Sequence, residues 1–359
     1  MKDYIKQLIK IKQSNIVDLI KGILCTDLMS FAEDKKYAFV FLAADYNNLG
    51  DIAITTAQAQ FLQQKLVGYE VVCVKPSDTI KYCKSIKKIS PKGVLITLIG
   101  GGNNGSLYEF LERPRRYIMR KLKKYKIVSF PQTVLFEDCE KALPYKNEFI
   151  RVSNKCRNLT LFARERYSFN RYKELGLKDT QICMCPDIVF SLIPPRLNDL
   201  KGSGIAIMLR NDIEKNVSEE YQKQILDYLR QANNVEIENM DTWGDNSNKY
   251  DVKTLMLFLE KLSHKRIAIT DRLHGMLFCY ITHTPCITID STNPKILSTY
   301  TTWLGTQSYI KMCKTNGSIE EFISEYKKLI LDNEFAGKPY VSEYTPLIQV
   351  CKGDYHGTD

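Results

Sequence analysis

Residues 266–290 run Arg-Ile-Ala-Ile-Thr-Asp-Arg-Leu-His-Gly-Met-Leu-Phe-Cys-Tyr-Ile-Thr-His-Thr-Pro-Cys-Ile-Thr-Ile-Asp. The short branched runs at 266–270 and 286–290 predict two strands, and the apolar segment 276–281 between them predicts a helix. Strands joined through a helix rather than a tight turn belong to a parallel sheet. The turn after the first strand holds Asp271, Arg272, His274 and Gly275. A guanidinium and an imidazole therefore fall at the carboxyl end of a strand and the opening of a helix. Backbone N–H groups and the helix dipole already favour an anion there. A phosphorylated or carboxylated ligand suits that combination.

The same alternation extends in both directions. Strands are expected at 38–44, 70–74, 94–99, 127–130 and 159–163, with helices at 52–66, 107–124 and 167–175. A second series places strands at 204–209, 235–239, 266–270 and 286–290, with helices at 218–231, 252–262 and 276–281. Alternation without runs of hairpins predicts the α/β class: two doubly wound, Rossmann-like domains facing a cleft. Pro194, Pro195, Gly202 and Gly204 mark the linker, with the boundary near 196–201. The domains are then a helical extension at 1–36, α/β domains at 37–195 and 196–337, and a tail at 338–359. A last helix is expected at 319–331.

At 359 residues, with 44% hydrophobic and 26% charged residues, each domain can bury its own core. No apolar run reaches the roughly 20 residues of a membrane span. Residues 1–12 lack the apolar core of a signal peptide, so a cytoplasmic place is expected. The 11 cysteines are scattered, with no Cys-x-x-Cys pair, and read as reduced packing residues; the four histidines are too dispersed for a metal site. The net charge of +10 leaves nucleic acid, a membrane surface or an anionic substrate as partners. Its basic clusters, at 1–36 and 113–126, lie in no nucleic-acid motif. Both read as solvated helix faces, with an anionic membrane surface as the alternative. Apolar residues at helical spacing in 1–36 predict a helix packed on the body of the protein, or lying on a bilayer.

Other strand ends carry polar groups. Asp45-Tyr46-Asn47-Asn48-Leu49-Gly50-Asp51 opens a helix, and Asp51 by itself reads as an N-cap. Gly100-Gly101-Gly102-Asn103-Asn104-Gly105 follows the third strand, and its glycines let backbone approach a ligand closely. Ser129-Phe130-Pro131-Gln132-Thr133 and Ala163-Arg164-Glu165-Arg166 end the fourth and fifth strands, surface salt bridging being the plain reading of the latter. Arg210 ends the strand at 204–209. His264, His283 and His356 are isolated, whereas His274 has Arg272 and a helix start beside it.

In order and context these pieces resemble the polysaccharide pyruvyltransferase family, bacterial exopolysaccharide and capsule type. The motifs are Asn48-Leu49-Gly50-Asp51, Gly100-Gly101-Gly102-Asn103, Phe130-Pro131-Gln132-Thr133, Ala163-Arg164-Glu165, Pro186-Asp187 and Asp271-Arg272-Leu273-His274-Gly275. Asn104-Gly105-Ser106 departs from relatives that carry an acidic residue there. The resemblance implies an architecture like GT-B glycosyltransferases, no metal and no cofactor. It implies transfer of a pyruvyl group from phosphoenolpyruvate to two hydroxyls of one sugar as a cyclic ketal, on a lipid-linked oligosaccharide. O4 and O6 of galactose are the hydroxyls the family suggests.

That chemistry needs cations for a carboxylate and a phosphate, and an acid and a base for proton transfer. Arg272 and Arg210, with Arg164 as a third, are the candidate clamp. His274 is the candidate acid or phosphate ligand, and Asp51 and Glu165 are candidate bases. Asn48, Gly50, Gly101, Gly102, Asn103 and Gly275 are further candidate binding residues. Two other readings compete: a nucleotide-sugar glycosyltransferase of the same architecture, and a non-catalytic glycan-binding protein of the pathway.

Overall fold

The computed structural model describes residues 1–194, 202–211, 215–232, 236–242, 250–291, 293–331 and 343–353. The chain divides into two compact units: Met1–Asp45, Ile54–Ile188 and Val341–Asp359 form the first, Tyr46–Ala53 and Val189–Tyr340 the second. The boundary expected at 196–201 lies outside the described residues.

The first unit opens with α1 (Lys2–Leu24), followed by β1 (Lys36–Phe41), α2 (Leu49–Lys65), β2 (Tyr69–Val74), α3 (Thr79–Ile86), β3 (Val94–Leu98) and β4 (Gly101–Gly105). Next come α4 (Glu109–Lys121), β5 (Lys126–Leu135), α5 (Leu143–Ser153), β6 (Leu159–Ala163), α6 (Arg166–Glu174) and β7 (Gln181–Met184). The strands form a seven-stranded parallel sheet in the order β2-β1-β3-β5-β6-β7, with β4 on β5. Phe39, Val40, Ile96, Ile127, Val128 and Phe162 are wholly buried in it, the uniform burial expected of parallel strands covered on both faces.

β5 runs longer than its sequence predicts, through Pro131. Its first half pairs with β3, ending at Leu98↔Ser129, and its second half pairs with β4 from Gly101↔Gln132. The register against β6 slips between Ser129 and Gln132. Pro131, which has no N–H to donate, sits at that irregularity.

The second unit contains β8 (Ile205–Met208), α7 (Glu219–Ala232), β9 (Ile237–Asn239), α8 (Val252–Ser263), β10 (Ile267–Thr270) and α9 (Leu273–Ile281). It continues with β11 (Cys286–Ile289), α10 (Lys295–Thr299), β12 (Ile310–Cys313) and α11 (Ile319–Leu331). Its parallel sheet has the order β12-β11-β10-β8-β9. Register aligns Ile267 with Ile205, and Ile269 with both Ile207 and Ile287. An isoleucine ladder results on one face, buried against Tyr221, Ile225 and Leu229 of α7 and Phe322, Tyr326 and Leu329 of α11. α12 (Thr345–Lys352) then adds to the first unit, where the Tyr344 hydroxyl donates to the Asp187 carbonyl at 2.5 Å.

Two readings of the sequence change. The basic run on α4 is not a solvated face: Arg115, Arg116 and Glu112 are all buried. Arg115 Nε lies 3.3 Å from Glu112, and Arg116 pairs with Glu109 at 2.9 Å while lying over the Tyr145 ring. Cys73, read as a packing residue, is exposed on β2 at the sheet edge.

Candidate functional site

The strand ends of the second unit bring most of the predicted residues together. β10 delivers Asp271 and Arg272 directly into α9. Thr270 fixes the turn, its hydroxyl donating to the Met208 carbonyl at 3.1 Å and accepting from the Arg272 N–H at 3.0 Å. Gly275 is required at the next turn, because a Cβ there would overlap Thr270 Oγ1. The side chain of the N-cap residue Arg272 makes no capping bond to α9, and the first turn of a helix carries donor character.

Asp271 is buried and accepts from the Arg210 N–H at 2.8 Å. Burial pushes its carboxyl up to about 6, against the pull of that N–H and of the Arg210 and Arg272 charges. Arg272 is also buried, and its Nη2 meets Asp241 at 2.9 Å. Asp241 escaped sequence reasoning. Its signal was its place just beyond β9, a strand end like the others but without a glycine-rich or basic motif to mark it.

The loop from 46 to 51 belongs to this same unit. The Leu49 N–H donates to the Thr242 carbonyl at 2.9 Å, and the Tyr250 N–H to Asn47 Oδ1 at 2.8 Å. Asn48, rather than Asp51, caps α2: its Oδ1 accepts from the N–H groups of Gly50 at 2.9 Å and Asp51 at 3.3 Å. Asp51 is left half-buried, with the Tyr46 hydroxyl donating to it at 3.1 Å. Gly50 faces His274 so closely that a Cβ would overlap the imidazole Nδ1. The imidazole is half-buried, lying against Gly50 and over the Phe278 ring at 6.2 Å.

The remaining predicted residues lie in the first unit and serve its frame. The glycine run is a strand, and Gly102 alone in Gly101–Gly105 is half-exposed. Asn103 is buried and accepts from Arg115. Neighbouring Asn104 bridges Glu112 at 3.2 Å and the Tyr172 hydroxyl at 3.1 Å. Arg164 is buried in an ion pair with Asp187 at 2.8 Å and donates to Thr133 Oγ1 at 2.7 Å. That is no surface salt bridge. Glu165 is buried and caps α6, accepting from the Ser168 N–H at 2.7 Å and from the Ser168 and Thr133 hydroxyls.

Comparison with known proteins gives the family. Residues 48–293 match the family model described as polysaccharide pyruvyl transferase. General stress protein 30 of Bacillus subtilis is 31% identical over 84% of this chain and 88% of its own length. Pyruvyl transferase 1 of Schizosaccharomyces pombe is 26% identical, over 76% and 71%. Among solved structures, UDP-GlcNAc 2-epimerase from Neisseria meningitidis bound to UDP-GlcNAc superposes with a TM-score of 0.50 at 12% identity, covering 88% of this chain and 97% of that one. This last likeness is one of fold: two Rossmann-like domains in one chain, as in GT-B glycosyltransferases. The matched stretch holds the glycine-rich strand, the Arg-Glu and Pro-Asp turns and the Asp-Arg-Leu-His-Gly helix start, and the chain belongs to the polysaccharide pyruvyl transferase family.

Proposed function

We propose that the protein moves the pyruvyl group of phosphoenolpyruvate onto two hydroxyls of one sugar, with O4 and O6 of galactose as the favoured pair. The acceptor is a lipid-linked oligosaccharide for capsule or exopolysaccharide, met at the cytoplasmic face of the membrane. The observation that carries this reading is the His274 imidazole seated on Gly50, in the first turn of α9 beside Arg272. Arg272 and Arg210, with the first N–H groups of α9, suit the phosphate and carboxylate of the donor. Asp241 orients Arg272 until the donor arrives. The first unit is assigned the acceptor, and Gly102 is the half-exposed residue of its glycine-rich strand.

In this scheme His274 gives a proton to the methylene carbon, and positive charge develops at the carbon bearing the phosphate. A sugar hydroxyl attacks that carbon, the carbon–oxygen bond to phosphate breaks, and the second hydroxyl closes the ketal. Each hydroxyl loses its proton, so a base is needed. Asp51 suits that role better than Glu165, whose carboxylate is buried and spent on capping α6. The scheme uses no metal and no cofactor, so turnover should survive a chelator. The test is phosphate release from phosphoenolpyruvate with a panel of glycosides, read together with product mass. A ketal product that falls about 10²–10⁴-fold in His274→Ala supports the scheme. Sugar-nucleotide binding with no response to phosphoenolpyruvate overturns it.

A further inference from the structure

α1 is mounted the wrong way round for an ordinary surface helix. Its inward side is largely polar. Arg113 clasps Asp18 at 2.6 Å, the Tyr145 hydroxyl donates to Gln7 at 2.8 Å, and Asn15 reaches Glu148 at 3.4 Å. Only Ile11 is fully buried among its apolar residues. Outward lie Ile5, Ile9, Ile16, Ile20 and Ile23, at intervals that keep them on one stripe. Ile16 is 57% exposed and Ile23 67%, whereas a helix folded for solvent turns such a stripe to the core. Lys6, Lys10 and Lys21 are exposed beside the stripe, Lys2 at its end and Lys12 at its edge between Ile9 and Ile16, with Asp3 the only exposed acid on the helix.

From this face we infer that α1 docks in the plane of an anionic lipid surface, isoleucines in the acyl boundary and lysines at the headgroups. The charges select this occupant. Lysines flanking an apolar stripe complement anionic headgroups and extend their ammonium groups toward them. A second copy of the chain complements them poorly. Antiparallel pairing about the helix centre sets Lys12 near its own copy, and parallel pairing sets every lysine opposite itself. Spanning is not at issue, since no described helix is long and apolar enough to cross a membrane. The inference deepens the lipid-linked acceptor reading and rests on it for its purpose, but the contact is measured without any substrate.

The test is flotation of the full chain with phosphatidylcholine vesicles, with and without phosphatidylglycerol. Binding is expected only with phosphatidylglycerol, and should weaken as salt rises. Lys6→Gln/Lys10→Gln/Lys12→Gln should lower affinity about fivefold per lysine removed. Ile9→Gln/Ile16→Gln/Ile20→Gln should abolish binding, with an unchanged melting temperature showing that the fold holds. Failure of the wild type to float, or equal flotation of all three proteins, overturns the inference. So does a solution dimer that the isoleucine substitutions disperse, which would assign the stripe to a second copy. Turnover with a soluble glycoside, read on the same proteins, should not change, so failure of the pyruvyl chemistry is scored separately.

Discussion

Gly50 separates chemistry from stability at a single position. Its backbone is not in the left-handed region, and alanine is favoured over glycine in a helix by up to about 1 kcal/mol. Gly50→Ala sets that preference against the displacement of a half-buried ring, so the melting temperature should change by no more than about 4 °C in either direction. The new methyl displaces the His274 imidazole, so turnover should fall about as far as in His274→Ala, roughly 10²–10⁴-fold. A Gly50→Ala protein with normal turnover would remove His274 from the mechanism. Arg272→Lys tests a different property, because lysine keeps the charge but not the planar fork. It should raise KM for phosphoenolpyruvate about tenfold or more, on the scale of one charge-assisted hydrogen bond. An unchanged KM would assign Arg272 to holding Asp241 alone.

At the scale of elements, the isoleucine ladder of the second sheet sets the stability of the unit that carries His274. Ile269→Ala leaves a cavity between β8 and β11 and should cost about 2–5 kcal/mol in denaturant unfolding. A loss below about 1 kcal/mol would mean that α7 and α11 close over the gap. The ladder was legible because β8, β10 and β11 are short, branched runs, and β6, β10 and α11 came out at or within a residue of their expected ends. Elements without that signal were missed. β4 is built of glycine and asparagine, residues that favour turns, and becomes a strand only because the displaced second half of β5 offers it a partner. β12 and α5 were not separable from loop by periodicity. The site was legible where residues are adjacent in sequence, as in 271–275. It was obscure where contact is distant, as with Asp241 on Arg272 and Gly50 under His274. The buried arginines of α4 went unread because a run of charge gives no hint that Asn103, Glu112 and Tyr145 await it.

For the whole molecule, two buried carboxyls each make stability fall as pH rises. They are opposite in sign to Glu148, Glu238 and Asp251, whose hydrogen bonds and ion pairs hold their carboxyls down. Burial raises Asp271 from 3.8 to about 6, and Glu112 from 4.5 to about 7 despite Arg115 and Arg116. Between those values the folded chain holds protons that the unfolded chain has lost, so each group subtracts stability as pH rises through its window. Asp271→Asn keeps an oxygen to accept from the Arg210 N–H but cannot ionise. Relative to wild type, its melting temperature should gain steadily from about pH 4 to about pH 6 and hold that gain above. A constant difference across that range would show that Asp271 titrates normally.

The placement of α12 has a consequence for synthesis. The first unit is made of residues up to Ile188 together with a segment that begins at Val341, and α12 reaches back to the Lys126 ammonium through the Val350 carbonyl. A ribosome adding about 5–20 residues per second needs on the order of ten to thirty seconds to travel from one part to the other. Throughout that interval the large sheet is out of the tunnel without its closing helix, while the smaller sheet is still being made. The nascent chain cannot finish its domains in the order in which they are encoded. The unit begun first is completed last.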